Sequence, residues 1–490
     1  AALVAGCVAG PNYVRPAVDS PLAWKLEAPW QAATPEDAAP KGPWWERFGD
    51  ARLDALQRQA LTQSPTLAIA GARLEQARAV VRATAASLLP SASLGMRAAR
   101  ARISADRPLS NYSSPNFATV QSDVLPALSV GYEIDLAGRI RRGVEGAEAS
   151  ADQSAADLEN VRLLLGTDLA TAYFNLRAAD IELDVLARSI ALQRRSLDFV
   201  STRHDLGASS GLDVAQQQAL LDTTLTQVDV LRRQRSAFEH AIATLTGTPA
   251  PSFALAAVIS ELEPPAVPLG VPSDVLQRRP DVASAERAMA AANAQIGVAR
   301  AAYYPSIVLA PSVGFESRSL STLFEAPSLL WSIGAQLSQP LFSGGRLGAN
   351  VDFARAGYDA TVGNYRRTVL TAMQEVEDGI TGLADLEHAD AQARTAVATA
   401  RRVLDLANAR YEGGATTYLD VITAQQSLLA AERLSAQLGG QRLLTAVFLI
   451  KALGGGWPAP AALAAESVSC GTASWLAMSM TLECRPGNLS

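Results

Sequence analysis

Residues able to carry chemistry are few in this chain and are poorly spaced for it. Its 490 residues hold three histidines, His204, His240 and His388, far apart in sequence, and three cysteines, Cys7, Cys470 and Cys484. No C-x-x-C or H-E-x-x-H occurs, so neither zinc-ligand spacing nor a disulfide framework is written here. Gly207-Ala208-Ser209-Ser210-Gly211 fits the G-x-S-x-G nucleophile elbow, the one lead toward an enzyme. That elbow needs a strand before it and a helix after it, whereas both flanks here read as helix. Gly344-Gly345-Arg346-Leu347-Gly348 suggests a phosphate loop but lacks the Walker spacing and its lysine. Two acids, Asp213 and Asp420, each follow a glycine-bearing turn at the start of a helical run, where the helix dipole favours a carboxylate. The residues therefore read as a non-enzyme with no cofactor and no metal site.

Composition narrows the partners. There are 42 Lys+Arg against 48 Asp+Glu, a net charge of −6, which argues against nucleic acid. Apolar residues make up 49% but aromatics only 6%, a mix suited to helices packed through small side chains. No run of about 18 apolar residues exists, so contact with a membrane would need a lipid anchor or β-strands. Residues 1–6 read as a signal-peptide remnant. Leu3-Val4-Ala5-Gly6-Cys7 resembles the bacterial lipobox, which implies acylation of Cys7, and Val8 in place of an aspartate after it favours the outer membrane.

The elements that would position these groups come as a tandem repeat. Pro65 and Pro280, and Pro90 and Pro305, are each separated by 215 residues. Gly138-Arg139 and Gly345-Arg346, Gly207 and Gly414, and Leu212-Asp213-Val214 and Leu419-Asp420-Val421 are each separated by 207. The expected division is a lipidated N-terminal arm (7–50), repeat 1 (51–262), a Pro-rich linker (263–274) closing with the cap Ser273-Asp274, repeat 2 (275–457) and an atypical C-terminal tail (458–490). Each repeat reads as helix, β-hairpin and helical hairpin. The helical runs are 65–89 and 280–304, then 138–203 and 212–245, then 345–411 and 419–452. Strands are marked by period-two alternation, clearest at Leu128–Asp135 and Trp331–Ser338, present at Ile307, Leu309, Val313 and Phe315, and weakest near Leu94 and Met96. That makes four strands, too few to close a barrel, so a membrane role requires several chains to share one. Gly207 and Gly414 are expected left-handed caps of long helices, and Thr417 an N-cap.

Together these features resemble the outer membrane factors, the TolC/OprM-like efflux ducts, and within them the NodT-type outer membrane efflux lipoproteins. The resemblance rests on Cys7 in its lipobox, Gly10-Pro11-Asn12-Tyr13-Val14-Arg15-Pro16, Trp44-Trp45-Glu46-Arg47-Phe48-Gly49-Asp50 and Arg279-Pro280-Asp281-Val282. Ala291–Gly297, Leu341–Arg346 and Tyr418-Leu419-Asp420-Val421 carry it further. It implies a mainly α fold with four transmembrane β-strands per chain, and a homotrimer with a 12-stranded barrel above an α-helical barrel. It implies an outer-membrane, lipid-anchored protein reaching into the periplasm, with a periplasmic adaptor and an inner-membrane RND-type pump as partners. Asp420, and secondarily Asp213, would form the pore gate, and Gly207, Leu212, Gly414 and Leu419 the adaptor-contacting tips. The cargo would be drugs or other toxic small molecules; metal-ion efflux and type I protein secretion share the architecture. A soluble periplasmic coiled-coil scaffold is the reading of a different class. The tail with Cys470 and Cys484 departs from the family, and in an oxidising periplasm the two could pair.

Overall fold

The computed structural model describes residues 8–14, 42–106, 119–259, 263–267 and 278–455. Cys7, Ser273, Asp274, Cys470 and Cys484 lie outside them. The stretch Trp44–Phe48, at the end of the expected arm (7–50), is one 3₁₀ turn with Trp44, Trp45 and Phe48 buried. Three large rings in five residues bury more area as a turn than as an extended strand, and the Phe48 ring lies 4.8 Å from that of Phe174. Asp50 then caps α1 (Ala51–Gln63), accepting from the amides of Arg52 and Leu53 at 2.8 and 3.1 Å.

Proline at the first position starts α2 (Pro65–Ala85), which tightens into a 3₁₀ turn ahead of Pro90. After the first hairpin come α3 (Arg139–Asp205) and α4 (Gly211–Leu245). The second unit repeats the order with α5 (Pro280–Ala301), α6 (Arg346–Glu412) and α7 (Tyr418–Ala452). Both α3 and α6 have 67 residues, and both α4 and α7 have 35. At 1.5 Å per residue the long helices reach about 100 Å. Their common core gathers Leu53, Leu169, Phe174, Ile242, Val447 and Ile450. Buried charges are paired: Asp180 lies 3.0 Å from Arg177 and 2.6 Å from Arg235. The Arg279-Pro280-Asp281 motif now has a physical reason. Arg279 forks onto Asp281, reaches Glu375 at 2.6 Å and donates to the carbonyl of Ala452 at the end of α7.

The sheet has six segments: β1 (Ser91–Ile103), β2 (Thr119–Ile134), β3 (Ser306–Leu309), β4 (Ser312–Phe315), β5 (Leu329–Ser332) and β6 (Ala335–Ser338). The sequence alone leads one to expect four strands. β3 and β4 lie end to end in one register against β2, and β6 and β5 continue one register against them. Four antiparallel lines result, in the order β1, β2, β3/β4, β5/β6. The breaks fall at Ala310-Pro311 and Ile333-Gly334, since proline lacks a ladder donor and glycine weakens a strand. Single bonds bridge them, Val130 N to Pro311 O at 2.9 Å and Ala310 N to Gly334 O at 3.0 Å. β1, the weakest strand in sequence, is 13 residues long and paired throughout. Every junction between strand and helix falls at one end of the sheet, and the hairpin loops at the other.

Candidate functional site

Three regions hold the residues that the sequence singles out. The first is the sheet. Leu94 pairs with Leu128, Leu128 with Val313 and Val313 with Trp331, a row of four exposed apolar side chains across all four lines. The adjacent row is Ser93, Ser129, Ser312 and Ser332, with the last two hydroxyls 2.9 Å apart. Neighbouring rows point to opposite faces, so one face is apolar and open and the other is polar.

The second region is the arm. Arg142 on α3 is buried and donates to the carbonyls of Ala9 and Gly10 and, at 2.9 Å, to the side chain of Asn12. Asn293 on α5 donates to Pro11 O at 3.1 Å. Gly10 has φ +98°, and a Cβ there would sit 2.7 Å from the Cα of Gly297, so the two glycines allow the arm to touch α5. These contacts join two motifs, and Arg142 between them, that are far apart in sequence. Ala9 donates to Ala137 O at 2.9 Å, and a Cβ on Gly138 would meet Val8, so the described arm begins where β2 passes into α3.

The third region is the pair of turns at the far ends of the long helices. Gly207 (φ +74°) and Gly414 (φ +71°) close α3 and α6 in the left-handed conformation. Each turn makes the same two bonds: Gly207 N to His204 O and Ala208 N to Arg203 O, Gly414 N to Tyr411 O and Ala415 N to Arg410 O. Leu212 and Leu419 are exposed beside them.

The two aspartates then part company. Asp213 and Ser210 form a capping box, amide to hydroxyl at 3.2 Å and amide to carboxylate at 3.1 Å, and Ser209 donates to the same carboxylate at 2.8 Å. Thr417 occupies the N-cap position but its side chain makes no cap bond. Asp420 is exposed, with the hydroxyl of Thr416 on its carboxylate.

Sequence reasoning missed what joins the two turns. Tyr418 is buried and donates to Gln217 at 2.9 Å; Gln217 donates to Gln425 at 3.3 Å and to Gln193 O at 3.2 Å; Gln425 donates to Ser196 at 2.9 Å. The Tyr411 hydroxyl lies 3.3 Å from that of Ser209, its ring 5.0 Å from Tyr418 and 5.1 Å from the guanidinium of Arg203. Burial first, then the neighbouring Tyr411, pushes the Tyr418 phenol above its ordinary range. Glutamines at core positions were the available signal, but Gln217 and Gln425 are not equivalent positions of the repeat. Among the described residues, no group of three His, Cys, Asp or Glu is placed to hold a metal, and no helix is long and apolar enough to cross a membrane.

Comparison with known proteins accounts for this arrangement. The family model described as "Outer membrane efflux protein" matches residues 56–248 and 271–455. The toluene efflux pump outer membrane protein TtgF of Pseudomonas putida is 33% identical over 464 residues, 93% of this chain and 95% of that protein. Nodulation protein T of Rhizobium leguminosarum bv. viciae is 31% identical over 461 residues, 94% of this chain and 92% of that protein. The solved structure of the outer-membrane channel OprN superposes with a TM-score of 0.83 at 28% identity, covering 92% of this chain and all of that one.

Proposed function

The chain belongs to the outer membrane efflux protein family, and on that premise we propose that it is the exit duct of a tripartite efflux system. Three copies form the duct. β1 of one copy pairs with the β5/β6 edge of the next, and three sets of four lines close a 12-stranded barrel in the outer membrane. A closed barrel satisfies every backbone donor in lipid, which an open sheet cannot do. The long helices form a tube below it in the periplasm. The duct is passive: a periplasmic adaptor and an inner-membrane RND-type pump supply the cargo and the energy. The cargo is small toxic molecules, the class to which the toluene of the TtgF system belongs. Cys7 carries the lipid anchor, and the position of Val8 against Gly138 supports it, since that junction lies at the rim of the sheet.

At the closed end, three Asp420 carboxylates form a ring. Like charges so close attract cations. Asp213 sits at the equivalent position of the first turn, held in its capping box, and contributes less to the gate. Gly207, Leu212, Gly414 and Leu419 form the surface on which the adaptor docks, and docking spreads the turns.

The observation that carries the reading is the apolar row beside the serine row on a sheet with two open edges. The apolar face meets lipid and the serine face lines the pore. A charge on the lipid face costs about 2–4 kcal/mol at mid-membrane. Leu337→Arg is therefore expected to abolish assembly of trimers in the membrane, and Gln336→Arg, one residue away on the polar face, to leave it intact. Equal loss from both variants overturns the barrel.

A further inference from the structure

The first hairpin runs on past the second. Beyond the bridge between Val124 and Ser317, β2 pairs with β1 alone, up to Ile103 opposite Thr119. On this extension the apolar face changes character. β1 presents Ala92, Leu94, Met96 and Ala98 on that face, then Arg100 and Arg102. Their cross-strand neighbours are Ser122 and Val120, which carry no charge. Both guanidinium groups are exposed and have no ion-pair partner among the described residues. Asp106 lies past the strand end. The arginine on the other face is different: Arg97 is held by Asp123 at 2.6 Å.

The spacing sets a height. Ala92 to Arg100 is about 27 Å of strand. At the usual tilt of a membrane strand this is about 20 Å of rise, close to the roughly 25 Å apolar band of an outer-membrane barrel. The ring pair Phe315–Phe324, 5.4 Å apart, lies near the loop end of the second hairpin. Arg100 and Arg102 thus stand at the outer edge of the lipid-facing surface, two positions apart on one face. Guanidinium groups that face outward, level with a headgroup layer, match phosphate monoesters, which they bind by parallel N–H···O bonds.

From this placement we infer that Arg100 and Arg102 bind the phosphates of lipopolysaccharide in the outer leaflet, so that each protomer holds glycolipid at its first hairpin. The inference rests on the barrel reading above. Closing the barrel pairs the backbone edge of β1 and leaves these side chains facing lipid.

The test is native mass spectrometry of trimers exchanged into micelles with an equimolar mixture of diphosphorylated lipid A, monophosphorylated lipid A and phosphatidylglycerol. The spectrum reads trimer mass and retained lipid together. The wild type is expected to retain lipid A in the order of its phosphate count and well above phosphatidylglycerol. Arg100→Gln with Arg102→Gln is expected to reduce that retention roughly tenfold or more. The lysine pair keeps charge without the fork and should fall between, and Arg97→Gln should match the wild type. Intact trimers of the glutamine pair with undiminished retention overturn the site, as does wild-type retention of phosphatidylglycerol equal to that of lipid A. A wild type that yields no trimer overturns instead the barrel on which the inference stands.

Discussion

The two turns at the ends of the long helices share their backbone and differ in what their side chains are attached to. Both close with a left-handed glycine and the same pair of carbonyl bonds. In the first turn the polar groups serve the turn itself: Ser209, Ser210 and Asp213 bond one another, and Gly211 and His204 are exposed. In the second turn the positions equivalent to His204 and Gly211 are Tyr411 and Tyr418, and both are buried against the first hairpin. The second turn is thereby anchored through its tyrosines, and Asp420 is left outside the cap. One backbone design thus yields a turn closed by its own capping box and a turn held by its neighbour, and the carboxylate outside the cap belongs to the second.

The largest expected effect tests the anchor. Tyr418→Ala removes a buried ring and strands Gln217, at a cost of about 3–5 kcal/mol, whereas Gly211→Ala, at an exposed helical position, should leave stability nearly unchanged. Thermal unfolding followed by helical circular dichroism measures both, and equal shifts would erase the distinction between the turns. Next comes the carboxylate outside the cap. Asp420→Ala is expected to lower the cation preference of trimers in planar bilayers by about tenfold, within the range by which a charged constriction concentrates counter-ions. Asp213→Ala should change that preference little. A matching change in both variants would mean that the capping box does not set Asp213 apart from Asp420.

A smaller contrast concerns capping. Ser210→Ala should cost about 1 kcal/mol and Thr417→Ala close to nothing, because only Ser210 holds a helix amide; chemical denaturation of the two variants side by side decides it. The smallest effect is in pH. The fold favours the protonated Tyr418 phenol, so its contribution is complete below the ordinary value of about 10 and is lost as pH rises above it. Tyr173, pushed up to about 12 mainly by burial, adds a loss of the same sign. Tyr418→Phe should therefore flatten, without abolishing, the fall in stability of the wild type above pH 10. An unchanged slope would show that the phenol is not shielded.

Much of the scaffold was legible because it is built from local rules. Proline starts placed α2 and α5, and the repeated glycine-bearing turns placed α3, α4, α6 and α7, to within a few residues. Strand extent was harder to read. β2 runs through Gln121, Ser122, Asp123 and Pro126, and β1 through Arg100 and Arg102, because paired backbone continues beyond the apolar stretch that alternation detects. The arm motif showed in sequence as a pattern without a partner; Arg142 and Gly297, which receive it, are more than a hundred residues away. The glutamine–tyrosine cluster was invisible for the same reason, since its members come from α3, α4, α6 and α7 and no single stretch contains them.

The equal lengths of the paired helices make the molecule a ruler with two edges. Seven residues inserted into α3 and α4 would move one turn outward by about 10 Å and leave the other behind. Tyr418 would lose Gln217, and Tyr411 would lose Ser209. Length can therefore change only by matched insertions or deletions in both copies, in steps that keep the helix faces in phase. Drift in one copy is held in check by the other, so the distance this protein spans is set twice.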